Sequence, residues 1–142
     1  MQRKRNIFLL LLLLIMATIL LLYFRKNQQP NPTVFILQGQ TTLQAGDVGM
    51  KIWDNNTEDG DTVAVYLNGK LIADAVAILY EPYLLPLGKL TTGEYILGVK
   101  AINMGTVAPA SASISLTDEK GTQEFVMDAW IDSAASWKII VH

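Results

Sequence analysis

Cysteine is absent from the 142 residues, which excludes disulfides, thiolate nucleophiles and cysteine-ligated zinc. Histidine occurs once, as His142, so one chain holds neither a serine–histidine triad nor a multi-histidine metal centre. Basic residues are scarce where a nucleic-acid partner would need them. Of eleven Lys and Arg, five (Arg3, Lys4, Arg5, Arg25 and Lys26) lie in the first 26 positions. Residues 27–142 carry the other six against all thirteen acids, a net charge of −7, whereas nucleic-acid affinity depends on Lys and Arg at phosphates. No nucleic-acid role is expected. Helical periodicity is missing from the same region, which rules out nucleotide-binding α/β folds.

The apolar content, 51 % of residues with a mean hydropathy of +0.29, is unevenly distributed. Ile7 to Phe24 is a run of eighteen uncharged residues, nearly all Leu, Ile, Phe or Met, with basic residues on both sides. As a helix it reaches about 27 Å, close to the hydrocarbon thickness of a bilayer. The run is longer than a cleaved signal core, its end is bulky rather than small-x-small, and Tyr23 and Phe24 fall where interfacial aromatics belong. The reading is a basic cytoplasmic start (1–6), a single transmembrane signal anchor (7–24) and a polar, proline-bearing tether (25–32), with secretion after signal cleavage as the alternative. Three basic side chains before the run and two after it orient the amino terminus inward, which places 33–142 outside the cytoplasm, in a periplasm or at the cell surface.

Beyond the tether, apolar residues alternate with period two and turn signals recur every eight to twelve residues. Strands are expected at Thr33–Leu37, around Val48, Met50 and Ile52, and around Val63, Val65 and Leu67. Asn68-Gly69 then turns the chain, since both positions tolerate positive φ, and the return runs from Lys70 to about Ala77. Tyr83 to Leu87, between Pro82 and Pro86, reads as an edge segment. Further strands follow at Tyr95–Ala101, at Ala112–Leu116 alternating with serines, and at Phe125–Ala129 after the turn Asp118-Glu119-Lys120-Gly121. The last is Trp137–Val141, with Trp137 counted as core. Asp132–Ser136 reads as a helical turn, and Gln38-Gly39-Gln40-Thr41-Thr42 as a surface connection. About eight short antiparallel strands in one domain indicate an all-β antiparallel sandwich preceded by the transmembrane helix.

Leu90-Thr91-Thr92-Gly93-Glu94-Tyr95 resembles the tyrosine corner of immunoglobulin-like and fibronectin-type domains, with Leu97 where disulfide-bearing relatives have cysteine. Asp54 through Asp61 followed by Thr62-Val63-Ala64-Val65-Tyr66-Leu67-Asn68-Gly69 resembles the acidic-loop signature of small immunoglobulin-like domains in exported bacterial proteins. Val99 to Pro109, an apolar strand ending in Asn-x-Gly with a proline after it, is similar to a second motif of those domains. The resemblance covers roughly residues 46–141. It implies an immunoglobulin-like fold and export, and it supplies no catalytic residues.

Asp54-Asn55-Asn56-Thr57-Glu58-Asp59-Gly60-Asp61 is the densest polar cluster. Converging carboxylates hold calcium, and Asp54, Asn56, Asp59 and Asp61 are the candidate ligands of a structural ion. The spacing departs from the EF-hand, and a solvated turn accounts for the same residues. No other cofactor is expected. Carboxylate pairs such as Asp54 with Asp61 or Asp128 with Asp132 suit glycoside hydrolysis only within a cleft, which so short a chain has little loop to build; the chain reads as a non-enzyme. Trp53, Tyr80, Tyr83 and Trp130 are candidates for an exposed aromatic binding surface, with packing beneath loops as the alternative. The sequence therefore describes a single-pass, membrane-anchored binding or scaffolding module with a protein partner in the cell envelope. A carbohydrate-binding module and an accessory subunit of a membrane assembly are the alternatives. The Trp137–Val141 segment is expected to be an edge strand available to that partner.

Overall fold

The computed structural model describes residues 14–20, 34–54 and 56–142. The chain divides into two compact units, Met1–Pro32 and Thr33–His142. In the first, residues 14–20 are helical, with Leu14, Ile15, Met16, Ile19 and Leu20 exposed. The expected cytoplasmic start, the tether and the remainder of the expected 7–24 span lie outside the described residues. Among those described, no helix is long and apolar enough to cross a membrane.

The second unit is all-β, with ten strands: β1 (Val34–Leu43), β2 (Gly46–Trp53), β3 (Asp61–Leu67), β4 (Lys70–Ala77), β5 (Tyr83–Leu84), β6 (Gly88–Leu90), β7 (Gly93–Met104), β8 (Ala110–Asp118), β9 (Gly121–Ala129) and β10 (Ser133–Val141). They form two packed sheets, one ordered β1-β10-β7-β3-β4 and the other β5-β2-β8-β9 with β6 also on β2. The inward alternation of Val48, Met50 and Ile52 on β2, Ile114 and Leu116 on β8 and Met127 on β9 faces Val63 and Val65 on β3, Leu97 and Val99 on β7, and Ile139 on β10; all are buried in one core. Leu97 is fully buried. Trp137 packs half-buried against that core.

Local turn chemistry acts where it is written. Asn68 (φ 50°) and Gly69 (φ 77°) close the β3–β4 hairpin, with Leu67 opposite Lys70. Asp118 turns β8 into β9 by accepting the N–H groups of Lys120 and Gly121 at Oδ1. Tyr95 forms the expected corner: its hydroxyl donates to the Thr91 carbonyl (3.0 Å) and accepts from the Thr91 N–H (3.1 Å). Tyr83–Leu84 is an edge strand, as its flanking prolines require.

Long-range pairing departs from expectation in three places. Trp137–Val141 is an interior strand: β10 lies between β1 and β7, and its ladder groups are occupied on both sides. The stretch Gln38–Thr42 belongs to β1, which runs parallel to β10, so the sandwich is not wholly antiparallel. Asp132–Ser136 is not helical, because β10 begins at Ser133 and pairs at once with β1. Ser113 and Ser115 are buried although they face away from the core, since the short hydroxymethyl groups lie beneath larger neighbours on β2 and β9.

The β1 register shifts between Leu37 and Gly39, leaving Gln38 as the extra residue. Its amide crosses to the other sheet, donating to the Asp128 carbonyl (2.8 Å) and accepting the Asp128 N–H (2.9 Å). Gln123 of β9 reaches back, donating to the Thr42 carbonyl (2.6 Å) and bonding the Thr41 hydroxyl. Two glutamines thus close one side of the sandwich where the β1 and β9 edges would otherwise be open.

Candidate metal centre

Asp54 follows the last residue of β2 and Asp61 is the first residue of β3, so the strand ends fix both ends of the acidic loop. The Asp54 N–H donates to the Leu79 carbonyl (2.8 Å) and the Ile78 N–H to the Asp61 carbonyl (3.1 Å). Between them, Tyr80 holds the loop: its N–H donates to Glu58 Oε2 (2.7 Å) and its hydroxyl accepts the Glu58 N–H (3.2 Å). These bonds bring the loop beneath the connection from β7 to β8.

That connection supplies donors to Asp59. Its Oδ2 accepts the N–H groups of Thr106 (2.7 Å) and Val107 (2.6 Å) and the Thr106 hydroxyl (3.1 Å). Gly105 is required here, because a Cβ at that position would overlap the Asp59 carboxylate. Burial opposes ionisation of Asp59, but the Val107 and Thr106 N–H groups and the Thr106 hydroxyl outweigh it and lower the pKa below 3.8. Asp61 goes the other way. Burial first, then the charges of Asp59 and Asp54, push its carboxyl up to about 6.

One carboxylate oxygen from each of Asp54, Asp59 and Asp61 lies within 4.8 Å of the others. Two oxygens on one calcium ion at 2.3–2.6 Å are separated by at most about 5 Å, so a single ion can touch all three. Asp59 Oδ1 and Asp61 Oδ1 are buried and have no hydrogen-bond partner, and Asp61 is only 4 % exposed. Paired buried acceptors are costly, and either a proton on Asp61 shared with Asp59 or a cation bound between them satisfies both. The other oxygen of Asp59 is already tied by N–H donors, and Asp54 Oδ1 accepts the Asn56 N–H (2.7 Å), the outer-shell anchoring typical of metal ligands. The three carboxylates line a cavity of about 70 Å³ with Asn56, Thr57 and Ser111, enough for an ion with water ligands.

Three of the four expected ligands therefore converge, and Asn56 lines the same cavity. The contributions of Thr106 and Val107, on the β7–β8 connection, and of Ser111, on β8, carry no sequence signal, as they arrive from some fifty residues away. The four candidate aromatics are dispersed. Tyr80 serves the acidic loop, Tyr83 lies on edge strand β5, and Trp130 is exposed after β9. Trp53 is half-buried on the outer face of β2, beside Ser113 and Val126. Among the described residues, the ring contacts join other residues, Phe35 with Tyr66 and Phe125 with Trp137. Asp128 accepts the Ser111 hydroxyl (2.7 Å), a bond between β9 and β8.

No family model, curated protein or solved structure matches the chain.

Proposed function

We propose that this chain is a membrane-anchored, extracytoplasmic immunoglobulin-like module that binds or scaffolds a protein partner in the cell envelope, with a calcium ion fixing one end of the sandwich. The observation that carries the reading is the division of the chain: eighteen uncharged residues flanked by basic ones, followed by a β-sandwich head of net charge −7. The tyrosine corner at Tyr95 and the two packed sheets support the immunoglobulin-like assignment. The orphaned oxygens of Asp59 and Asp61 support the ion, and extracellular modules work with calcium affinities of about 10⁻⁴–10⁻³ M, suited to a head outside the cytoplasm.

The test is membrane extraction and protease accessibility of the full chain in intact cells, with a tag after His142. Retention at alkaline pH and digestion of the tag from outside are expected. A soluble chain shorn of its first two dozen residues, or a tag that only lysis exposes, would overturn the reading.

A further inference from the structure

A sheet edge carries unpaired N–H and C=O groups, and folded chains protect such edges with charge, proline, bulges or short length. The other edges of this sandwich are protected in these ways. β4 has Lys70, Asp74 and a bulge at Asp74 and Ala75. β5 is two residues long between Pro82 and Pro86, and β6 is three residues long with Lys89 at its middle. β9 carries Glu124 and Asp128 and is bridged by Gln38 and Gln123.

The first half of β1 has none of this. Among the described residues β1 pairs with β10 alone, at the end of its sheet. It contains no charged residue and no proline. The bulge and the glutamine bridges act on residues 38–42, and Val34–Leu37 precedes them. All four of these side chains are exposed, by 61, 37, 51 and 58 % in chain order.

The segment presents apolar surface on both faces. Ile36 lies opposite Ala135, a core residue, so Val34 and Ile36 point to the inner side, where the second sheet leaves them uncovered. Phe35 points outward: a Cβ at Gly98 would meet its ring, which packs edge-on against Tyr66 with centroids 5.6 Å apart. The Trp130 N–H donates to the Ser133 carbonyl (2.9 Å), and Ser133 lies opposite Val34. That bond brings the exposed Trp130 and Ile131 to the same border.

Free ladder groups require an extended backbone, and apolar side chains on both faces require a strand that is apolar on both faces too. A second Val34–Leu37 meets both demands. Residues 27–142 carry a net charge of −7, so copies meeting at most surfaces repel, whereas here neither copy brings a charge into the pair. Pairing with β4 or β9 of a neighbour would set the segment against a bulged or acidic edge. Pairing with itself about a two-fold axis avoids both and closes at two copies.

We propose that Val34–Leu37 is a self-association edge along which two copies of the chain pair antiparallel, joining their β1-β10-β7-β3-β4 sheets into one. Val34 and Ile36 of both copies then pack on the inner face, and Phe35 and Leu37 on the outer. The inference rests on the sandwich alone and does not require residues 7–24 to cross a membrane.

The absence of native cysteine allows single substitutions in the full chain. Val34→Cys, Phe35→Cys, Ile36→Cys, Leu37→Cys and, on the β4 edge, Lys70→Cys are oxidised in detergent micelles and scored for disulfide-linked dimer. Opposite residues of an antiparallel pair share a face, so only one residue lies opposite its own copy. Dimer is expected to peak at Phe35→Cys or Ile36→Cys, about fivefold above the other positions, whose copies lie too far apart to bridge. Lys70→Cys is expected to stay monomeric. Equal yields along Val34–Leu37 overturn the proposal, being the mark of parallel stacking or of association through the apolar run alone. Absence of dimer at all four positions overturns it as well, the result expected if the tether or another protein's strand occupies the edge.

Leu37→Lys, added to the peak variant, gives this edge the charge that the others have and is expected to lower its dimer yield about tenfold. Circular dichroism is expected to report an intact fold, because the Leu37 side chain is exposed, and Val34→Lys is the second variant. Dimer that persists in a folded lysine variant overturns the proposal.

Discussion

The indole of Trp137 on β10 stacks on the ring of Phe125 on β9, with centroids 4.1 Å apart and planes 8° from parallel, and Gly39 of β1 lies under the same indole. The pair joins the two sheets beside the glutamine bridges, and the glycine makes room for it. A Cβ at Gly39 would fall within the indole ring. Gly39→Ala is therefore expected to cost about 1–3 kcal/mol through overpacking, read as a lower midpoint in chemical denaturation. Gly49→Ala, whose Cβ would meet nothing nearer than 4.0 Å, is the control and is expected to leave the midpoint unchanged or raised.

Calcium held at Asp54, Asp59 and Asp61, as proposed, is expected to stabilise the head by mass action, by about 2.7 kcal/mol when free calcium is a hundredfold above Kd. Calorimetric titration of the chain is expected to show heat at one site and a melting temperature that climbs with calcium. Asp61→Asn is expected to lose both responses. A wild-type chain that gives neither heat nor a change in melting has no such site.

The pH dependence of the metal-free chain tests the same carboxylates. The Asp61 carboxyl moves from 3.8 to about 6 on folding, so its protonated form favours the fold. That contribution is fully present below about pH 4 and is lost as pH rises through about 6. In EDTA, Asp61→Asn is therefore expected to gain stability relative to wild type between about pH 4 and about pH 7. A gap that stays constant across this interval means that Asp61 titrates normally.

The Tyr95 hydroxyl makes its corner with Thr91, through the Thr91 carbonyl, N–H and side chain. Tyr95→Phe keeps the ring and is expected to cost about 1 kcal/mol, as a net loss of neutral hydrogen bonds. Thermal denaturation monitored by circular dichroism gives the value.

Ala75 on edge strand β4 has a φ of 52°, where a side chain is strained. The β3–β4 register shifts there, with Val63 opposite Val76 and Val65 opposite Ala73, so Asp74 and Ala75 bulge from the edge. Ala75→Gly relieves about 1–2 kcal/mol of strain against about 0.5–1 kcal/mol of added chain entropy, and a small rise in the denaturation midpoint is expected.

The sequence by itself determined the strands with a strict period of two and the turns written in Asn68-Gly69 and Asp118 to Gly121. Both depend on contacts within a few residues, which is why the acidic loop and the Tyr95 corner were also legible. Only the tertiary structure decided where the strands stand. The β-branched run at the carboxyl terminus has the composition of an edge or a centre alike, and it is central because β1 arrives parallel beside it from almost a hundred residues upstream. The same holds for the carboxylates. Three acids in one loop are written in the chain, but the donors that pin Asp59, and so leave one oxygen unpaired against Asp61, come from Thr106 and Val107. Pairing over such separations is set by how whole faces pack, and local patterns carry no record of it.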